Sequence, residues 1–210
     1  MEGKNYINGA FVNGTSGERF ESRNPANTDE VLGTFPLSSE TDVNNAVHAA
    51  QESYHSWRRL SRIKRGEYFD EFVQLLKKDR EEISRLVTKE CGKGIVEGRA
   101  DVTEGIHMVQ YVFGTVRMPH GDVIDSEIPE KDAFMRRKPK GVVAAITPWN
   151  FPFAIPLWLI CPSVVEGNTV ILKPSRETAC TANRLLSMHI KRDSPRVLST
   201  LYTAVAGIYW

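Results

Sequence analysis

Two short aliphatic runs constrain this chain more than any other feature. Gly141-Val142-Val143-Ala144-Ala145-Ile146 is the first and Val170-Ile171-Leu172 the second. Runs this apolar, rich in Val and Ile, read as strands covered on both faces. Residues 156–166 between them read as a helix with Pro156 in its first turn, stopped by Gly167-Asn168. A further helix is expected over residues 178–188, with an apolar face. Strand, helix, strand, helix is a βαβ pattern, and its strands pair in parallel.

Each strand runs directly into a group of polar and proline residues. The first enters Thr147-Pro148-Trp149-Asn150-Phe151-Pro152, and the second enters Lys173-Pro174-Ser175-Arg176. Loops at the carboxyl ends of neighbouring parallel strands are where open α/β sheets bind cofactors. Residues 144–176 therefore form the first candidate site.

The residues before this unit read mostly as helix. A strand pair is expected around Asn8-Gly9, a dipeptide that favours a type I′ turn. Asn24-Pro25-Ala26-Asn27 reads as a turn, and residues 31–36 as a short strand. Ser39 or Thr41 caps a helix through about Trp57, with Val43, Ala46, Val47 and Ala50 on one face. Ser61 caps the next, with Phe69, Phe72, Val73 and Leu76 at helical spacing. Asp79 opens a third, which Gly92 closes, and residues 95–116 form a longer amphipathic segment. Residues 123–139 alternate in character and read as extended. These divisions predict a helical N-terminal part of the cofactor domain over residues 1–121. Extended strands follow over 122–140, the first βαβ unit over 141–188, and a non-native tail over 189–210.

Composition excludes several classes. The chain has 210 residues, 41% of them apolar and 25% charged, with a formal net charge of +1. That balance offers no bulk attraction to nucleic acid or to an anionic membrane. Three cysteines, Cys91, Cys161 and Cys180, lie far apart, and the five histidines do not cluster. A zinc site or a disulfide framework is not expected, and a reducing cytoplasm fits best. The first residues lack the apolar stretch of a signal peptide. The longest apolar run, residues 151–160, is too short to span a bilayer.

Taken together, the motifs resemble the aldehyde dehydrogenase superfamily from Tyr6 to about Met188. The resemblance rests on the residues 6–14 hairpin, Asn24-Pro25-Ala26-Asn27, Thr88-Lys89-Glu90-Cys91-Gly92-Lys93, Pro148-Trp149-Asn150-Phe151-Pro152 and the run Gly167-Asn168-Thr169-Val170-Ile171-Leu172-Lys173-Pro174-Ser175. It implies an incomplete doubly wound, Rossmann-like α/β domain with a helical N-terminal arm. Residues 123–139 would be its oligomerisation strands, and the parent protein a homo-oligomer.

The chemistry implied is NAD(P)-dependent oxidation of an aldehyde, with semialdehydes among the candidates, to a carboxylic acid. In the family a cysteine thiolate attacks the aldehyde, hydride passes to NAD or NADP, and water releases the acid. By the resemblance, the side-chain amide of Asn150 donates to the developing oxyanion. A preorganised donor of this kind contributes roughly 3 to 4 kcal/mol. The resemblance also lays the backbone of Ile146, Thr147, Pro148, Trp149 and Asn150 along the cofactor. It brings Lys173, Pro174, Ser175 and Arg176 to the adenosine ribose or its phosphate. Many NAD-preferring members have Glu three residues after this lysine; here Arg176 stands there and Glu177 follows. A cation near the ribose 2′ position tolerates a 2′-phosphate, so both NAD and NADP stay open.

Plainer readings stand beside these. Asn in a proline-flanked turn is ordinary. A lysine at a strand end is usually solvated, and Arg176 reads equally well as a surface arginine. None of the three cysteines suits the nucleophile. Cys161 lies in an apolar helix, where a buried structural thiol is usual. Cys180 opens a helix, where a thiol pKa can fall, yet no family role maps there. Cys91 stands at a helix end before Gly-Lys.

After Met188 the family pattern stops. Read one nucleotide out of frame, the codons allowed for residues 193–210 can spell a family-like loop and glycine turn, so a frameshift near Met188 or His189 is expected. On that reading the chain is truncated and lacks the catalytic cysteine. The sheet would then keep an open, apolar edge. The rival reading is a non-catalytic nucleotide-binding or interaction module, whose tail folds and completes the sheet.

Overall fold

The computed structural model describes residues 1–190 and 202–204. The chain opens with a tight hairpin, β1 (Asn5–Ile7) and β2 (Ala10–Val12). Asn8 and Gly9 at its tip have φ of 51° and 76°, the positive values that a type I′ turn requires. A second antiparallel pair follows, β3 (Arg19–Asn24) and β4 (Asn27–Pro36). This ten-residue β4 is longer than the expected strand over 31–36. Residues 27–30 carry four polar side chains and so no apolar signal. Their pairing with β3 makes them strand.

Four helices come next: α1 (Glu40–Trp57), α2 (Arg62–Lys78), α3 (Arg80–Cys91) and α4 (Ile95–Thr115). Ser39 caps α1 in a reciprocal box with Asp42, and Ser61 caps α2 by accepting from the Lys64 amide. Gly92 ends α3 with φ of 68°, the left-handed cap that glycine adopts without strain. The expected extended region is a hairpin, β5 (Gly121–Asp125) and β6 (Asp132–Arg136), exposed along its whole length.

The βαβ unit forms as expected: β7 (Val142–Ile146), α5 (Ala154–Val165) and β8 (Thr169–Lys173), with β7 and β8 parallel. A 3-10 turn over Arg176–Thr178 leads into α6 (Ala179–Ile190). Tyr202–Ala204 is β9, parallel to β8. The main sheet runs β2-β1-β9-β8-β7, with β1 antiparallel to β9. β9 covers one side of β8, and β7 is an edge strand of this sheet, which was expected to keep an open edge. α6 continues through residue 189, near which the break was expected, and apart from β9 the tail after residue 190 lies outside the described residues.

Side chains of β8 alternate between two helical layers, as period-2 geometry requires. Val170 and Leu172 enter the main core with Leu157, Ile160 and Val164 of α5 and Phe69 and Phe72 of α2. Ile171 points the other way, onto Ala46, Ala49 and Ala50 of α1. Helices on both faces of parallel strands make this a partial Rossmann-like α/β domain. Trp57, fully buried, ties the layers by donating to the Val164 carbonyl at 2.8 Å. No helix among the described residues is long and apolar enough to cross a membrane.

Candidate cofactor site at the ends of β7 and β8

The register of the two parallel strands decides which loop residues meet. Ile146 lies opposite Lys173, and the Thr147 amide donates to the Lys173 carbonyl at 3.1 Å. Thr147 is buried and Pro174 behind it is buried. The two loops thus leave the sheet side by side. Ile146 stays 56% exposed.

Past Thr147 the chain turns outward. Pro148, Trp149, Asn150 and Phe151 are exposed, while Pro152 and Phe153 return to the interior. Phe153 and Leu157 seat α5 against Gly105 of α4. A Cβ at Gly105 would sit 2.7 Å from Phe153 Cδ1 and 2.8 Å from Leu157 Cδ1, so only glycine permits this approach.

The second loop is tighter. Ser175 Oγ accepts from the Glu177 amide at 3.3 Å and begins the 3-10 turn. Arg176 carries its guanidinium over the Phe20 ring, 4.8 Å from the centroid. Lys173 is half-buried, and its ammonium has no hydrogen-bond or ion-pair partner among the described residues. An unpaired cation at the carboxyl end of a parallel strand suits an anionic or hydroxyl-rich ligand.

A cavity of about 230 Å³ links the two loops, lined by Trp149 from one, by Glu177 and Thr178 from the other, and by Cys91 and Glu90 of α3. Cys91 is the one thiol of the three in contact with the first loop, donating to the Trp149 carbonyl at 3.4 Å. Burial pushes its pKa up to about 11, so it stays protonated at neutral pH. The thiolate is the nucleophilic form, and Cys91 therefore does not suit that role. Cys161 and Cys180 are fully buried, and burial raises their pKa values further above the usual thiol range. No group of three or more metal-ligating side chains exists among the described residues.

The site residues read from sequence fall into two sets. Sheet register joins Ile146, Thr147 and Lys173, with Pro174 and Ser175 next along the second loop. Pro148, Trp149 and Asn150 stand further out on the first loop, and Arg176 leans toward β3. Three residues without an assigned role also belong here: Glu90 lines the cavity, Lys93 meets the Asn150 carbonyl and Asp101 the Ala154 amide. The motif Glu90-Cys91-Gly92-Lys93 at the end of α3 was the available signal. Its role depends on α3 and α4 reaching loops some 60 to 90 residues away in sequence, separations seen in the Lys93–Asn150 and Glu90–Cys180 contacts.

A sequence model described as the aldehyde dehydrogenase family matches residues 11–204, nearly the whole chain. The chain belongs to the aldehyde dehydrogenase family. The match continues past residue 189 and through β9.

Among curated relatives, the alpha-ketoglutaric semialdehyde dehydrogenase of Bacillus subtilis (strain 168) is 36% identical over 204 residues, covering 97% of this chain and 42% of that protein. Among solved structures, lactaldehyde dehydrogenase from Escherichia coli superposes with a TM-score of 0.91 at 26% identity, covering 99% of this chain and 43% of that one. An NAD-dependent aldehyde dehydrogenase from Sinorhizobium meliloti superposes with a TM-score of 0.89 at 28% identity, covering 99% and 41%. The aldehyde dehydrogenase-family chain thus spans about two fifths of the length of these relatives.

Proposed function

We propose that this chain carries the NAD(P)-binding strands and the oxyanion-donating asparagine of an aldehyde dehydrogenase that oxidises an aldehyde, a semialdehyde among the candidates, to a carboxylic acid. The observation that carries the reading is the pairing of Ile146 with Lys173. It sets the Thr147–Asn150 loop and the Lys173–Arg176 loop beside each other at the carboxyl ends of two parallel strands. Ile146, 56% exposed, and Trp149, 59% exposed, offer apolar surface beside the unpaired Lys173 ammonium. This mixture fits a dinucleotide, whose rings need apolar walls and whose ribose hydroxyls and phosphates need donors. The bound dinucleotide accepts the hydride. Lys173 binds its ribose, and Arg176 beside it accommodates either a hydroxyl or a 2′-phosphate. Asn150 directs its neutral amide at the aldehyde oxygen.

On this reading the 210-residue chain alone binds dinucleotide and does not oxidise aldehydes, because none of its described thiols is a competent nucleophile. Titration of the chain with NADH and NADPH, followed by nicotinamide fluorescence, is the test. Saturable binding with no aldehyde-dependent NADH formation is expected; absence of binding to both nucleotides would sink the proposal. The same measurements serve the reading of the chain as a nucleotide-binding module, which the pairing of β9 between β1 and β8 favours.

The exposed hairpin is the proposed surface for homo-oligomer formation. Val123 and Phe134, paired across it, are 71% and 74% exposed. A cytoplasmic location is proposed from the three free cysteines.

A further inference from the structure

The loop that carries Asn150 is held from below by a buried ion pair. Gly92 turns the chain at the end of α3 and sends Lys93 under the loop. The Lys93 ammonium donates to the Asn150 carbonyl at 2.7 Å. It also lies 4.7 Å from the centre of the Phe151 ring and 3.5 Å from Asp101 Oδ2. The Lys93 side chain is 15% exposed and that of Asp101 is 0% exposed. Asp101, on α4, uses its other oxygen to accept from the Ala154 amide at 2.8 Å, at the first turn of α5. One ammonium and one carboxylate therefore grip the loop at Asn150, at Phe151 and at the start of the helix that follows.

The choice of a charged pair is informative. Taking an ammonium and a carboxylate out of water is costly, and such pairs are weak sources of net stability. A hydroxyl or an amide could cap α5 at smaller cost. What the pair adds is direction. Lys93 is the one described side chain that holds the Asn150 peptide, and the Asn150 amide itself has no hydrogen-bond partner among the described residues. The backbone then fixes the point and the Cα–Cβ direction from which that side chain starts. Burial raises the Asp101 pKa, while the Ala154 amide, Lys93 and the Phe153 amide act against that rise.

We propose that Lys93 and Asp101 are positioning residues, which fix the peptide of Asn150 so that its side chain leaves the backbone from a set point at the mouth of the cofactor site. The catalytic meaning rests on the proposed role of Asn150; the positioning itself does not.

The test is backbone ¹⁵N relaxation on the 210-residue chain and on Lys93→Met, Asp101→Asn and the double variant. In the unaltered chain the amides of Trp149, Asn150 and Phe151 are expected to be as ordered as those of β7 and β8, with order parameters of about 0.85. In Lys93→Met the three fall below about 0.6, while β7 and β8 keep their values. Asp101→Asn shifts them the same way, and the double variant does no more than Lys93→Met, because both act through one pair. Unchanged order in 149–151 in either single variant overturns the proposal. So does additive loss in the double variant, or collapse of the whole spectrum in both single variants. A loop that responds as expected in a chain that binds neither NADH nor NADPH would sink the function and leave the positioning intact.

Discussion

Glu90 and Thr181 are joined twice. One carboxylate oxygen of Glu90 accepts from both the amide and the hydroxyl of Thr181, each at 2.7 Å. The other accepts from the Cys180 amide at 2.6 Å and from Ser22 Oγ at 3.0 Å. Glu90, at the end of α3, thus caps the start of α6, directly behind the Lys173–Arg176 loop. A carboxylate at a helix N-terminus satisfies free amides and meets the positive end of the helix dipole. Glu90→Ala strands these buried donors, each costing about 1–3 kcal/mol. Chemical denaturation is expected to show a loss of about 3 kcal/mol or more; a loss under 1 kcal/mol would contradict the capping role.

Glu90 also has a pH signature. Burial is the largest influence on it and raises its pKa above the ordinary 4.5. A raised folded-state value means that its contribution is complete below 4.5 and is lost as pH rises through the folded value. The margin in melting temperature by which the unaltered chain exceeds Glu90→Gln is therefore expected to shrink as pH rises above 4.5. A margin that widens over that range would show that the four donors outweigh burial.

Cys91 should label slowly at neutral pH. With its pKa near 11, the rate of alkylation by iodoacetamide is expected to rise about tenfold per pH unit from 7 to 9, following the thiolate fraction. Peptide mass spectrometry should place the early label on Cys91, since Cys161 and Cys180 are fully buried. Fast labelling of Cys91 at pH 7 would refute this account of its surroundings.

Lys173 and Arg176 should separate in their effect on nucleotides. Hydrogen bonds to charged groups contribute about 1.5–3 kcal/mol, so Lys173→Met is expected to weaken NADH and NADPH alike by about tenfold or more. Arg176→Glu is expected to weaken NADPH selectively. Equal loss of both nucleotides in Arg176→Glu would mean that its stacking on Phe20, rather than its charge, is what matters.

Gly105→Ala should loosen the seat of α5. Its Cβ would enter the space of Phe153 and Leu157, and overpacking of this kind costs about 1–3 kcal/mol. Thermal unfolding would register it; an unchanged midpoint would mean that α4 and α5 can part without penalty.

Much of this fold is legible in the residues because its signals are local. The Asn8-Gly9 turn, the Ser39 and Ser61 caps, the Gly92 stop and the aliphatic runs of β7 and β8 each depend on a few neighbouring side chains. They appear where local chemistry places them. The early part of β4 was not legible, because its polar residues become strand only by pairing with β3. β9 was not legible either: Tyr202–Ala204 carries no aliphatic run, and its place between β1 and β8 depends on partners from both ends of the chain.

The sequence by itself determined the family, the βαβ unit and the places of Asn150, in the loop after its first strand, and Lys173, at the end of its second. These follow from short motifs whose meaning is carried by spacing. Tertiary structure alone decided what surrounds them: that Glu90 caps α6, that Lys93 and Asp101 lie beneath the Asn150 loop, that Cys91 touches Trp149 and that Arg176 rests on Phe20. Such contacts join segments remote in sequence, and burial gives them their energies. No local pattern of residue types encodes either the distance between two helices or the water excluded between them.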